Sequence, residues 1–181
     1  MSDSKGRTLE QRIQEIEDVR EITDLFFKWH YACTGGFNGK QAGRMEALEC
    51  LTEDATIEIE ALHKPGEGPR GREQYTQFWD FYYGDEGPLP YVFQTSVADK
   101  VEIDGDNAVH YTNMMGIFEF RGAGATVGLS QRINYCVRTP DGWRIQKTTQ
   151  GGGLTTKVDN LQGNLNVLPE MEKRTPWTYK G

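Results

Sequence analysis

The strongest constraint in this sequence is a change of hydrophobic period near residue 91. Before it, Ile13, Ile16, Val19, Ile22, Leu25, Phe26, Trp29 and Cys33 recur every three or four positions. At 3.6 residues per turn that spacing gathers them on one side of a single long helix. Thr8 and Gln11 stand ahead of it at the spacing of a capping box. Thr34-Gly35-Gly36 supplies the stop, because glycine accepts a left-handed cap. Met45, Leu48 and Leu51 predict a second helix over 41–51, and Ile57 and Ile59 alternating with Glu58 and Glu60 predict a short strand. The loop Lys64-Pro65-Gly66-Glu67-Gly68-Pro69 leads to an aromatic-rich third helix over 72–83, and Gly84 to Pro90 form another loop. From 91 the period is two. It predicts strands at 91–103, 107–121, 125–139 and 142–150, joined by turns at Asp104-Gly105-Asp106, Gly122-Ala123-Gly124 and Pro140-Asp141-Gly142.

Helices gathered before a run of hairpin-linked strands make an α+β layer fold. Strands this long must twist and curl, with bulges. Rolled into a cone around the first helix, such a sheet encloses a cavity, the usual setting of a small-molecule site. A chain of 181 residues has room for one such core. The expected organisation is a flexible N-terminus over 1–8, one domain over 9–152, and a tail over 153–181. The tail's Leu161, Leu165, Val167, Leu168, Trp177 and Tyr179 suit packing on the domain or on a neighbouring subunit.

Composition excludes several function classes. Asp plus Glu is 27 against 20 Lys plus Arg, a net charge of −7, which argues against a nucleic-acid binder with its basic face. Cys33, Cys50 and Cys136 are odd in number and widely spaced. They form no disulfide framework and suggest a reducing compartment. No apolar run approaches the roughly 20 residues of a membrane span, and Met1 to Gly6 has no signal-peptide core. The expected setting is cytoplasmic, with no membrane partner. His30 and Cys33 are one helical turn apart, but no second pair follows at ligand spacing, so no metal site is expected. Gly151-Gly152-Gly153 opens no predicted helix and makes no phosphate cradle. No cofactor is expected.

Five pieces carry a resemblance: Ile22-Thr23-Asp24-Leu25, Leu51-Thr52-Glu53-Asp54-Ala55, Gly71-Arg72-Glu73, Val101 to Ala108, and Val137 to Ile145. In this order and spacing the chain resembles the SnoaL-like branch of the nuclear transport factor 2-like superfamily. The resemblance implies a cone closed by the first helix. It also implies acid–base chemistry on hydrophobic substrates, as in scytalone dehydratase, hexachlorocyclohexane dehydrochlorinase, bile-acid dehydratase, steroid isomerases and polyketide cyclases. Other members are cofactor-free lyases that strip formaldehyde from lignin-derived diarylpropanes. The β-subunits of ring-hydroxylating dioxygenases share the fold and are largely structural. In the dehydratases an Asp–His pair does the work. Its aspartate position falls here on Thr34 and its histidine position on Gln94, and neither side chain exchanges protons near neutral pH.

Other residues must therefore carry any chemistry. By the same resemblance Trp29 and His30 face the cavity, near the position of a catalytic tyrosine in bile-acid dehydratase. Histidine titrates near neutrality and suits an acid or base; the alternative is a histidine satisfied by a neighbouring carbonyl or set at a subunit interface. Arg132 and Asn134 are two apart on a strand and point the same way. Arg132 could hold a developing oxyanion, or it could pair with a buried acid such as Asp24. Tyr111 and Asn113 also share a face and would add a phenol and an amide, whereas a bulge would turn His110 and Thr112 inward instead. Gln94 could orient a substrate hydroxyl. Thr148 and Gln150 would face the same space or serve as polar packing. Tyr31, Tyr75, Trp79, Tyr82 and Tyr83 form either core and lid packing or a wall for an aromatic substrate.

The expected function is a cofactor-independent lyase on a hydrophobic aromatic molecule. Its catalytic residues would be His30, Arg132, Tyr111 and Asn113, and its binding residues Trp29, Asn134, Gln94, Tyr31, Trp79 and Thr148. The most specific expectation is conversion of a lignin-type diarylpropane to a stilbene and formaldehyde. A dehydratase, steroid isomerase or polyketide cyclase of the same fold is one alternative, and a non-catalytic structural subunit is another. The resemblance implies a homo-oligomer formed through the convex sheet face, a trimer before a dimer.

Overall fold

The computed structural model describes residues 6–34, 44–60, 62–83, 87–89 and 91–158. The expected stop at Gly35-Gly36, the start of the 41–51 helix, residues 84–86, the side chains of Thr34 and Tyr83, and the tail from 159 lie outside the described residues.

The first helix, α1, runs Leu9–Thr34. Its capping box is complete. Thr8 N–H donates to Gln11 Oε1 at 2.9 Å, and Gln11 N–H donates to Thr8 Oγ1 at 3.2 Å. The apolar stripe divides in two. Ile22, Phe26, Trp29 and Cys33 are buried, whereas Leu9, Ile13, Ile16 and Val19 are exposed. The stripe that the spacing gathers on one side of the helix is thus buried only toward its C-terminal end. What fastens the helix at the division is Asp18, which is buried and bonded on both oxygens. Arg138 Nη2 donates to Oδ2 at 2.7 Å; Trp143 Nε1 and Gln14 Nε2 donate to Oδ1 at 3.2 and 3.1 Å.

The remaining elements are α2 (Arg44–Glu49), β1 (Leu51–Ile59), α3 (Gly71–Tyr83), β2 (Tyr91–Asp104), β3 (Asn107–Phe120), β4 (Gly124–Thr139) and β5 (Gly142–Val158). The strands form one open mixed sheet in the order β1-β5-β4-β3-β2. β1 pairs parallel with β5, and the other neighbours are antiparallel. The architecture is the expected α+β one: α1 packs on β2 and β5 and α3 on β1, with a core of Phe26, Trp29, Leu51, Ile57, Tyr75, Trp79, Met114, Trp143 and Ile145.

Three boundaries differ from expectation. α2 ends at Glu49, so Leu51 belongs to β1 and not to the expected 41–51 helix. β1 starts at Leu51 because a bulge between Leu51 and Thr56 breaks the two-residue alternation. β5 runs through the glycine triplet to Val158. These glycines answer close approaches inside the sheet. A Cβ on Gly151 would stand 2.3 Å from Glu60 Oε2, and one on Gly153 would stand 1.8 Å from the Leu129 carbonyl oxygen. Gly152 takes φ +64° where the β4–β5 register shifts.

The sheet has two unlike faces. One is turned to α1 and carries His110, Thr112, Met114, Arg132, Asn134 and Cys136, all buried. The other leaves Tyr111, Met115, Leu129, Tyr135 and Leu154 exposed. Met115 pairs with Leu129, and Leu129 with Leu154, so three strands contribute to one apolar row. Among the described residues no helix is long and apolar enough to cross a membrane.

Candidate functional site

His30 and Trp29 come from the last buried turns of α1, and His30 stacks on Phe26 at 5.3 Å between ring centroids. Its Nε2 lies 3.0 Å from the Gln94 carbonyl oxygen. A carbonyl only accepts, so Nε2 carries the proton and Nδ1 carries the lone pair. Burial, reinforced by the charge of Arg132, pushes the imidazole pKa down to about 3. At neutral pH His30 is a neutral hydrogen-bond acceptor; the burial and the Arg132 charge that remove its acid role also lower its basicity. The expected carbonyl partner is present as well.

Arg132 enters from β4. Its guanidinium lies over the Trp29 ring at 4.7 Å and donates from Nη2 to Gln150 Oε1. The expected alternative partner, Asp24, is instead exposed and faces Arg20 at 3.6 Å. Trp29 Nε1–H is buried with no hydrogen-bond partner among the described residues. A buried donor left unmade costs about 1–3 kcal/mol, so this N–H suits a ligand oxygen. Nearby, Cys33 Sγ and Tyr75 OH lie 3.2 Å apart, and burial holds the Cys33 thiol up at about 12.

A second polar chain crosses the sheet beside this group. Thr148 Oγ1–H donates to Asn134 Oδ1 at 2.7 Å. That leaves the Asn134 amide to donate to His110 Nδ1 at 3.0 Å, which forces the His110 proton onto Nε2, 2.9 Å from Asp99 Oδ1. Ser96 Oγ–H completes the Asp99 carboxylate at 2.7 Å, and Thr112 Oγ1 reaches Ser96 at 2.7 Å. Burial lowers the His110 pKa while Asp99 opposes it. The Asp99 side chain is 26% exposed and that of His110 is fully buried, so the chain connects solvent to the core. Phe26 lies between the two histidines, with its centroid 4.7 Å from that of His110.

The structure thus brings together His30, Trp29, Arg132, Asn134, Thr148 and the Gln94 backbone. Trp79 is buried edge-on to Tyr75 at 6.1 Å. Tyr31 lies at the surface, stacked on Phe27. Tyr111 and Asn113 do not join the group. They occupy the outer face, where Tyr111 OH donates to Glu102 Oε2 at 3.2 Å and Asn113 Oδ1 accepts from Gln131 at 3.4 Å. β3 is unbroken along β4, and the bulge sits in β2 at Val97. His110 and Thr112 are therefore the inward pair, and Asp99 and Ser96 are the partners that the sequence reading missed.

Two cavities are lined by other residues. One of about 520 Å³ is lined by Lys28, Glu49, Arg72, Trp143 and Arg144 among others. One of about 320 Å³ lies between His63 to Pro65 and Gly151-Gly152. Among the described residues no cluster of three His, Cys, Asp or Glu side chains is placed to hold a metal ion.

The model of the SnoaL-like domain matches residues 14–149. The chain belongs to the SnoaL-like family. A hexachlorocyclohexane dehydrochlorinase (LinA, type 2) superposes with a TM-score of 0.70 at 12% identity, covering 83% of this chain and 95% of that one. A provisionally named scytalone dehydratase from Novosphingobium aromaticivorans gives 0.65 at 14% identity, covering 80% and 90%. A provisionally named aromatic ring hydroxylase from the same organism gives 0.65 at 18% identity, covering 78% and 94%. At these identities the likeness is one of fold. No curated protein matches the chain significantly.

Proposed function

We propose that this SnoaL-like chain is a cofactor-independent lyase acting on a hydrophobic aromatic molecule, with His30 as the base. The observation that carries this reading is the pairing of a neutral buried imidazole with the cationic Arg132 on Trp29. Elimination needs an acceptor for a proton and a cation for the charge that develops on oxygen. Nδ1 of His30 supplies the first, and Arg132, with Trp29 Nε1–H beside it, supplies the second. Burial excludes water and strengthens the field of Arg132, while it lowers the basicity of His30. Two structural neighbours bear the names of a dehydratase and a dehydrochlorinase, both elimination enzymes.

The specific substrate we propose is a diarylpropane bearing a benzylic hydroxyl, a hydroxymethyl group and a para-phenol. The benzylic C–O bond breaks, and hydroxide leaves as water with the phenolic proton, giving a quinone methide. His30 then takes the proton of the hydroxymethyl group, and the C–C bond to that carbon breaks. The electron pair passes into the quinone methide, formaldehyde departs, and the proton returns to the phenolate beside Arg132. The products are a stilbene, water and formaldehyde, with no net oxidation.

Incubation with a lignin-type β-1 dimer should release formaldehyde and a stilbene. His30→Ala and Arg132→Ala should each lose about 10²-fold or more while keeping the circular dichroism spectrum. Full activity in both variants sinks the site assignment. Elimination from other benzylic alcohols without formaldehyde from the dimer removes only the specific substrate.

One observation favours a second reading, a structural subunit of a ring-hydroxylating oxygenase. His30, Trp29 and Arg132 are at most 5% exposed, and neither described cavity is lined by them. Copurification with an iron–sulfur oxygenase subunit supports that reading, and purification as one chain active on the dimer rejects it.

A further inference from the structure

The cavity of about 520 Å³ shares no residue with the His30 group, and its size is that of a small-molecule site. Three cations reach it from three elements: Lys28 from α1, Arg72 from the first turn of α3 and Arg144 from β5. One of them pairs with a carboxylate of the lining, and the other two add to the field there. Lys28 Nζ donates to Glu49 Oε2 at 2.9 Å. Arg144 and Arg72 add to Lys28 in holding that carboxyl below its usual range.

Of the four charges of the lining besides Lys28, Glu49 and Arg144, two have partners. Asp24 faces Arg20 at 3.6 Å, and Arg72 faces Glu53 at 3.3 Å. Glu21 and Asp141 are exposed to solvent. Arg144 differs. It is half-buried, donates from Nη1 to the Trp143 carbonyl at 2.8 Å, and makes no ion pair among the described residues. A planar guanidinium with donors to spare suits an incoming carboxylate. Leu25, Trp143 and Cys50 give the cavity apolar lining beside these charges.

We infer that this cavity binds a small organic carboxylate. The ligand's carboxylate meets Arg144, with Lys28 and Arg72 adding to the field, and its apolar body lies against Leu25 and Trp143. Glu49 draws on the same cations and acts as a built-in competitor. The inference does not rest on the lyase reading.

Calorimetric titration of the full chain at low salt with benzoate, and separately with inorganic phosphate, tests it. Benzoate should bind saturably and more tightly than phosphate. Arg144→Gln should weaken benzoate at least about tenfold, the scale of one charge-assisted hydrogen bond. Glu49→Gln should tighten it, because the competing carboxylate is gone. Lys28→Gln, a change at a largely exposed side chain, should weaken it and covers the case in which Arg144→Gln does not fold. Absence of saturable benzoate binding, binding of phosphate alone, unchanged affinity in Arg144→Gln, or weaker binding in Glu49→Gln overturns the inference.

Discussion

His30 holds its lone pair at neutral pH because burial opposes the charged ring and Arg132 repels it. This has a sign in stability. An unfolded-chain histidine protonates below its ordinary 6.5, whereas the native ring resists down to about 3. Between those values the unfolded state binds the extra proton, so stability falls as pH drops through that window. Urea midpoints at pH 7 and pH 5 check this. Wild type should lose more than His30→Gln, which can donate to the Gln94 carbonyl and does not titrate. An equal loss in both counts against the linkage. The inward parity of His110 was legible at this scale. Asp104-Gly105-Asp106 closes a tight hairpin that sets Ile103 opposite Ala108 and Val101 opposite His110. Lys100 and Glu102 alternate with that apolar pair and must face solvent, taking Tyr111 outward with them. Asp99 shares the face of Val101 by the same alternation, but Ser96 as its partner was not legible, because the Val97 bulge lies between Ser96 and Ala98 and resets the alternation there.

Among the elements, α1 shows how one polar residue can fix a helix that its apolar stripe does not fully bury. Asp18 takes bonds from Arg138, Trp143 and Gln14, and Arg138 also covers the Trp143 ring at 4.4 Å. The Arg138 bond leads the others in holding the Asp18 carboxyl below its usual range. A lowered carboxylate pKa stabilises the native state above the unfolded value, and that gain is lost as pH falls through the native one. Asp18→Ala should therefore cost about 3–5 kcal/mol at pH 7, read as a lower urea midpoint, and the cost should shrink toward pH 3. A cost that is the same at both pH values would show a packing role only. The glycine triplet makes the converse point about strands. Its residues read as a stop, but they sit inside β5, where Gly152 takes φ +64° and the Leu129 carbonyl leaves no room for a Cβ on Gly153.

For the whole molecule, the outer sheet face bears on assembly. Tyr111, Met115, Leu129, Tyr135 and Leu154 line it, all at least 36% exposed, and apolar residues grouped on one face suit an interface. The proposed homo-oligomer, a trimer before a dimer, would cover this face. Light scattering should give a multiple of the chain mass that falls to one chain in Met115→Lys/Leu129→Glu. A wild-type monomer would remove the proposal. The period change near residue 91, the capping box and the turn glycines determined the α+β order of elements and the family's fold, because these are local signals written in consecutive residues. The pairing of His30 with the Gln94 carbonyl, the placing of Arg132 on Trp29 and the Asp99–His110–Asn134–Thr148 chain were decided only in the tertiary structure. Each depends on register, bulge position and helix docking, and a one-residue slip in any strand would turn those side chains to the opposite face.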